Sequence, residues 1–133
     1  MQPYRTTILL LLLGLLGECR AGLLPKKASV SIINQMGSGI VLTVHCKSGD
    51  DDLGDHLLQQ NEEYGFRFRP SFWGNTLYFC SFKWWDQFKY FDVYIYKRHD
   101  CRICKYVALQ EGLCRFRESS GQYDTCYPWN SSK

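Results

Sequence analysis

Residues 72–85, FWGNTLYFCSFKWW, decide the fold class because they contain the longest candidate for a packed β-strand in this chain. Consecutive side chains of a strand point to opposite faces of the sheet. From Tyr78 onward, one face of a strand over residues 76–85 carries Tyr78, Cys80, Phe82 and Trp84. Each buried aromatic side chain removes roughly 150–250 Å² from water, so this face needs a covering layer. The pattern favours a core strand that is cross-linked through a disulfide at Cys80. An exposed aromatic surface for ligand binding is the less favoured interpretation.

The same alternation of apolar and polar residues predicts short strands elsewhere in the chain. These segments are residues 28–34, 40–46, 64–69, 89–97, 103–109, 113–116 and 123–129. Turn-forming residues recur between them, and no segment has the periodicity of an amphipathic helix. The sequence therefore predicts an all-β fold, an antiparallel β-sandwich of about seven to nine short strands stabilised by disulfides.

The spacing of these segments also predicts how some of them pair. Residues 28–34 and 40–46 are close enough in sequence to predict antiparallel neighbours. The strongest predicted hairpin joins residues 76–85 to residues 89–97 through a turn at Asp86-Gln87. Residues 64–69 carry outward arginines and end at a proline, which is typical of a strand at a sheet edge.

The most polar segment is residues 47–54, KSGDDDLG, and it predicts an exposed loop. Residues 52–61 fit either a helical turn or a short strand. Carboxylates such as the three consecutive aspartates suit calcium, but their spacing is not that of an EF-hand. A solvated loop is the simpler interpretation.

The first residues predict export from the cell. Arg5 precedes a short apolar run, and small residues at Cys19 and Ala21 fit a secretory signal peptide over residues 1–21. The apolar run is too short for a membrane anchor, so we expect no stable membrane insertion of the mature protein. Residues 22–133 then form a single domain. The formal charge of +3 is too small to predict a nucleic-acid partner.

Cysteine usage fits an exported protein. Six cysteines remain after the signal is removed: Cys46, Cys80, Cys101, Cys104, Cys114 and Cys126. An even number in a small exported domain predicts three disulfides, whose connectivity the sequence leaves open. Cys114 and Cys126 flank a polar loop symmetrically, which favours pairing across a hairpin. The competing interpretation, that Cys101 and Cys104 form a redox pair or half of a zinc site, lacks the expected context.

Few residues point to chemistry. His45, His56 and His99 would suit acid-base catalysis, as in a secreted ribonuclease, but they are scattered over three segments. No nucleophile elbow or zinc-protease motif is present, so the sequence predicts neither an enzyme nor a cofactor nor a metal site. Asn130 begins a formal glycosylation sequon.

Several ordered motifs together resemble one family. They are HCKSGDDDLG at residues 45–54, FRFR at 66–69, FWGNTLYFC at 72–80, FDVY at 91–94, the segment 101–106 and YPW at 127–129. This order is similar to that of the plant self-incompatibility protein S family, the S-protein homologues, over essentially the whole mature chain. Tyr106 stands where that family usually has a tryptophan.

The resemblance implies a small secreted β-sandwich that acts as an extracellular ligand, recognised by a cell-surface receptor in cell-cell signalling such as pollen-pistil self-incompatibility. It implies no catalytic residues. On a rigid scaffold, charged loops are the natural contact sites. The candidate receptor-facing residues are Lys47, Asp50, Asp51, Asp52, Asp55, Lys97, Arg98, His99 and Asp100. The alternative is a secreted defence protein that binds microbes or their glycans through exposed aromatics such as Trp85 and Trp129.

Overall fold

The computed structural model describes residues 25–98 and 101–129. The described residues form nine strands and one 3-10 turn. The strands are β1 (Ala28–Asn34), β2 (Leu42–Lys47), β3 (Asp52–Leu58), β4 (Glu63–Phe68), β5 (Leu77–Trp84), β6 (Gln87–Ile95), β7 (Ile103–Ala108), β8 (Gly112–Arg117) and β9 (Gln122–Pro128). The 3-10 turn, Tyr96–Arg98, follows β6. Within these ranges, no helix has the length and apolar character needed to span a membrane.

Two sheets pack face to face, which confirms the predicted all-β sandwich. The five-stranded sheet has the order β4-β1-β7-β8-β9, and the four-stranded sheet has the order β3-β2-β5-β6. Neighbouring strands are antiparallel except β1 and β7, which are parallel. β4 lies at a sheet edge and β5 pairs with β6, as the sequence predicts.

The predicted pairing of residues 28–34 with residues 40–46 is wrong, because β1 and β2 lie in different sheets. Asn34, the last residue of β1, is fully buried, and its side chain bonds to the segment that leads from β1 into the other sheet. Its amide donates hydrogen bonds to the carbonyls of Ile40 at 2.8 Å and Leu58 at 2.9 Å. Its side-chain oxygen accepts from the backbone N–H of Met36. Alternation predicts that a segment is a strand, but it carries no information about which strand is its partner.

β5 is the central core strand that the sequence predicts. Its inward residues Tyr78, Cys80, Phe82 and Trp84 are all buried. Gly74 has a φ of 72°, which confirms the turn ahead of the strand. The turn after β5 is formed by Trp85 and Asp86 instead of Asp86 and Gln87, and Trp85 adopts a φ of 52°. Gln87 is already paired with Trp84.

Contacts between the sheets close the core around residues of β6 and β7. Tyr106, at the position where the family usually has a tryptophan, is buried and donates a hydrogen bond to the Val93 carbonyl at 2.6 Å. Val93 and Tyr94 are both buried although they are adjacent, because a bulge between β5 and β6 shifts the register near Tyr78. The strict alternation predicted along β6 fails at this bulge.

Three disulfides join the described cysteines. They are Cys46–Cys80, Cys101–Cys104 and Cys114–Cys126. The first links neighbouring strands β2 and β5 inside the core, and the third links β8 to β9 across a hairpin, as predicted. The second closes the short segment before β7. Because both of its sulfurs are bonded to each other, neither is a zinc ligand in this structure.

The polar loop is shorter than the predicted span of residues 47–54. Lys47 ends β2 and Asp52 begins β3, so the loop comprises only residues 48–51. Lys47 is paired with Asp52 in the antiparallel ladder. Of the two alternatives for residues 52–61, the strand is therefore correct.

Candidate functional site

The outer face of the four-stranded sheet brings together most of the predicted contact residues on β2 and β3. The strand register places His45 opposite Asp55 on β3 and opposite Ser81 on β5. Ser81 is in turn opposite Tyr90 on β6. The adjacent row across the sheet is Leu57, Thr43, Lys83 and Phe88. These rows span all four strands, so residues distant in sequence share one surface.

A groove of 540 Å³ runs along this outer face. Small polar residues, Thr43 and Ser81, occupy its central strands, and larger residues stand on both sides. Its lining comprises Val41, Thr43, His45, Lys47, Asp55, Leu57, Phe79, Ser81, Lys83, Trp84, Trp85, Phe88 and Tyr90. The groove is therefore apolar at one end and charged at the other.

The apolar end of the groove leaves large side chains in water. Trp85 is 66% exposed, Phe88 and Tyr90 are each 53% exposed, and Leu57 is 67% exposed. Phe88 and Tyr90 lie edge to face with ring centroids 5.0 Å apart. Exposed aromatics clustered beside a groove are typical of a binding surface, whereas single exposed apolar residues need no explanation.

The charged end is organised by His45. Its Nε2 lies 2.5 Å from Asp52 Oδ1, and its Nδ1 lies 2.8 Å from Asp55 Oδ1. The hydrogen bond from His45, with a second from the Gly54 backbone N–H, lowers the pKa of Asp52 below its ordinary value of 3.8. Asp52 is therefore favoured as a carboxylate, and His45 contacts both aspartates at this end of the outer face.

The loop of residues 48–51 is held by its own hydrogen bonds. The Ser48 backbone N–H donates to the Asp51 carbonyl at 2.8 Å, and the Ser48 hydroxyl accepts from the backbone N–H groups of Asp50 and Asp51. Tyr78 donates its hydroxyl hydrogen to Asp51 Oδ2 at 3.2 Å, and burial raises the pKa of Tyr78. The acidic loop is thus tied to the core strand β5.

The second predicted contact segment lies at the same end of the sandwich. The backbone N–H of Tyr96 donates to the carbonyl of Thr76, which places the 3-10 turn beside residues 75–77. Residues 75–77 and the loop of residues 48–51 line a common cavity. Lys97 is exposed in that turn, and Arg98 ends it. His99 and Asp100 lie outside the described residues, as do Asn130 and the predicted signal peptide.

The structure separates the two described histidines. His56 points to the other side of β3 from Asp55, where its ring stacks on Tyr64 with centroids 3.8 Å apart and bonds to the Leu53 carbonyl. His45 instead lies in the groove between two aspartates. Within residues 25–98 and 101–129, no group of three or more histidine, cysteine and acidic side chains is arranged to hold a metal ion.

The aromatic end of the groove is the part of the site that the sequence-based candidates lack, apart from Trp85 in the alternative hypothesis. Tyr90 lies on one side of the predicted strand of residues 89–97, whereas Phe88 precedes it. The observed strand begins at Gln87, so both side chains belong to β6 and face outward. Trp129 is not exposed, so its predicted role in a glycan-binding surface is wrong. It is buried against Phe82 and Trp84 and donates its indole N–H to the Leu109 carbonyl at 2.9 Å.

Comparison with known proteins gives a family for this architecture. The family model for plant self-incompatibility protein S1 matches residues 29–129. The chain belongs to this family. S-protein homolog 2 of Arabidopsis thaliana is 42% identical over 114 residues, covering 80% of this chain and 71% of that protein. S-protein homolog 5 of Arabidopsis thaliana is 41% identical over 118 residues, covering 86% and 89%.

A solved structure of a self-incompatibility protein homologue shares the fold of this S-protein homologue. It aligns with a TM-score of 0.56 and 18% sequence identity, over 68% of this chain and 84% of that one. Its family is described as widespread, small, highly stable, secreted proteins from plants. The predicted family and the predicted sandwich are therefore confirmed, and the predicted export agrees with that description.

Proposed function

We propose that this S-protein homologue is a secreted, non-enzymatic extracellular ligand that a cell-surface receptor recognises in cell-cell signalling. The observation that carries the proposal is the groove on the outer face of the four-stranded sheet, with exposed aromatics at one end and His45, Lys47 and Asp55 at the other. Family membership supports the extracellular setting, and pollen-pistil self-incompatibility is one form that such signalling takes in this family.

The aromatic end supplies the binding energy in this proposal. Receptor interfaces derive most of their affinity from a few buried aromatic or arginine side chains, and truncating one costs about 2 kcal/mol or more. Trp85, Phe88 and Tyr90 are already exposed beside a concave surface. They lie on or beside the β5–β6 hairpin, whose partner strand β2 is joined to β5 by a disulfide, so little order is lost on binding.

The charged end supplies partner choice and association rate. Asp52 and Asp55 both contact His45, and Asp50 and Asp51 lie in the neighbouring cavity at the end of the sandwich. Charges at the rim of an interface steer encounter and exclude wrong partners more than they add affinity. Because Lys47 and Lys83 also line the groove, a receptor with charges of both signs next to an apolar patch fits this surface.

The experiment is binding of fluorescently labelled mature protein to wall-free plant cells from the tissue that responds to it. The proposal expects saturable binding that unlabelled protein competes away and that mild protease treatment of the cells abolishes. Trp85→Asn removes an aromatic while keeping a residue that tolerates a positive φ. We expect it to weaken binding by about 30-fold, the effect of losing one interface hot spot.

The matched control is Trp73→Asn, because Trp73 is 81% exposed but lies outside the groove lining. It should bind as the unmodified protein does. Equal loss in both variants, or cell binding that protease treatment leaves intact, would refute recognition by a protein receptor at this face. Growth inhibition of microbes by the purified protein, lost in Trp85→Asn, would support the defence alternative instead.

A further inference from the structure

The outer face of the five-stranded sheet, on the opposite side of the molecule from the groove, carries a cluster of cations. Ser29 of β1 is opposite Arg67 on β4 and Ile103 on β7, and Ser31 is opposite Lys105 on β7. Arg102 precedes β7 and donates to the Lys27 carbonyl at 2.7 Å. The basic face is defined here as Lys27, Arg67, Arg102 and Lys105.

A groove of 440 Å³ over β7 and β8 continues this basic face. Its charged lining is Arg102, Lys105, Arg115, Arg117 and Glu118. Arg117 is paired with Asp124 at 2.8 Å, and Lys105 Nζ lies 5.4 Å from the centroid of the Phe116 ring. Four cations and Glu118 therefore line the groove, and one of the cations, Arg117, is already paired with Asp124.

Among the described residues, acidic side chains lie at two borders of the basic face, in addition to Glu118 and Asp124 beside the groove. Glu63 is on the same side of β4 as Arg67, about 13 Å further along the strand at the usual rise per residue. Asp50 and Asp51 share with Arg67 the cavity at the end of the sandwich. Between these borders the centre of the sheet is flat, because Ser29, Ser31 and Gly65 are its outward residues there.

We propose that this basic face binds a polysaccharide that carries carboxylate groups. The floor of this face consists of small residues with the exposed side chain of Ile103 beside them, and exposed lysines and arginines flank it. Such a surface suits an extended anionic chain, which makes several weak ion pairs at once. Nucleic acids are another class of long polyanion, but the proposed extracellular setting favours the polysaccharide. The inference depends on the proposed export and not on the receptor.

The two proposed surfaces lie on opposite faces of the sandwich, so both partners can be bound together. The protein would be retained by an anionic matrix through the five-stranded sheet while presenting the four-stranded sheet to a receptor. Retention of this kind limits how far the ligand spreads from the cell that secretes it.

The test measures binding of the purified mature protein to immobilised polygalacturonate at several salt concentrations. Binding should weaken steadily with salt, since it depends on exposed charges. The triple variant Lys27→Gln, Arg67→Gln, Lys105→Gln should bind about 3- to 100-fold more weakly, as expected for three exposed ion pairs. Arg102 is left in place because it holds the Lys27 carbonyl.

The matched control is Lys83→Gln, Lys89→Gln, Lys97→Gln, which removes the same charge from β5, β6 and the 3-10 turn. It should retain nearly full binding to polygalacturonate. Equal loss in both triple variants, equal binding to fully methyl-esterified polygalacturonate, or equally strong competition by a single-stranded oligonucleotide would overturn the proposal. A failure of the receptor proposal can be distinguished from a failure of the polysaccharide proposal, because Trp85→Asn should leave polygalacturonate binding unchanged.

Discussion

The three disulfides should differ strongly in how much they stabilise the domain. Cross-linking restricts the unfolded chain, and the restriction grows with the logarithm of the loop that it closes. The sequence separations are 34 for Cys46–Cys80, 12 for Cys114–Cys126 and 3 for Cys101–Cys104. The corresponding contributions to the free energy of unfolding are about 4, 3 and 1.5 kcal/mol at 25 °C.

For Cys46–Cys80, burial adds to the loss of stability that the long loop already predicts. Cys46 and Cys80 are both fully buried, so replacing them with alanine also leaves a small void, which costs about 1 kcal/mol more. The double variant Cys46→Ala, Cys80→Ala should therefore lose about 5 kcal/mol. A loss of this size approaches the whole stability of many small domains, about 5–15 kcal/mol.

The assay is urea unfolding of the three double-alanine variants beside the unmodified protein, monitored by tryptophan fluorescence and by circular dichroism. Circular dichroism without urea first verifies that each variant folds. The expected ranking of lost unfolding free energy is Cys46–Cys80, then Cys114–Cys126, then Cys101–Cys104. A cost for the Cys101–Cys104 variant equal to or above that of the Cys46–Cys80 variant would refute the loop-entropy reasoning.

Three further changes have defined outcomes. Gly112→Ala should destabilise the fold by about 1–3 kcal/mol in urea unfolding, because the added methyl group would overlap the backbone carbonyl of Tyr127. Asn34→Ala should cost about 3 kcal/mol or more by the same measurement, since it leaves three buried backbone groups unpaired. His45→Ala should raise the pKa of Asp52, as measured by carbon-detected NMR titration. Because that pKa is depressed in the folded state, the stabilisation from Asp52 is present above pH 3.8 and is lost as the pH falls through the folded value.

Each of these changes has a matched control in the same chain. Gly49→Ala adds a methyl group where no other atom lies within 4 Å, so it should leave stability unchanged. Asn75→Ala alters an exposed asparagine and should cost little. The pKa of Asp124 is lowered by Arg117 and should not respond to His45→Ala. A response of Asp124 would show that the titration reports a general change in the fold.

Strand identity was predictable wherever one side of a strand is buried. Tyr78, Cys80 and Phe82 recur at every second position of the sequence, as side chains on one face of a strand do. The shared burial of Val93 and Tyr94 was not predictable, since a bulge has no residue signature in this strand. The parallel pairing of β1 with β7 was also out of reach, because it depends on contacts between residues about 75 apart.

The candidate site was only partly predictable for a related reason. Asp50, Asp51 and Asp52 look equivalent in sequence, yet Asp52 begins a strand because Lys47 and His45 meet it across the ladder and through a hydrogen bond. Trp85 and Trp129 look equally available, but only Trp129 has a backbone carbonyl within reach and aromatic neighbours to cover it. Such differences arise from tertiary contacts that spacing alone does not contain.

The parallel pairing of β1 and β7 has a consequence for how the chain folds during synthesis. β1 lies between β4 and β7. One edge of β1 can form its hydrogen bonds with β4 once residue 68 has been synthesised, but the other edge has no partner until residues 103–108 have been synthesised. Contacts this distant in sequence slow folding, because a long loop must close before they form. A chain interrupted between these points would expose an unpaired strand edge, which is a hazard for aggregation. Residues 103–108 therefore complete the five-stranded sheet, and until they are synthesised one edge of β1 has no partner strand.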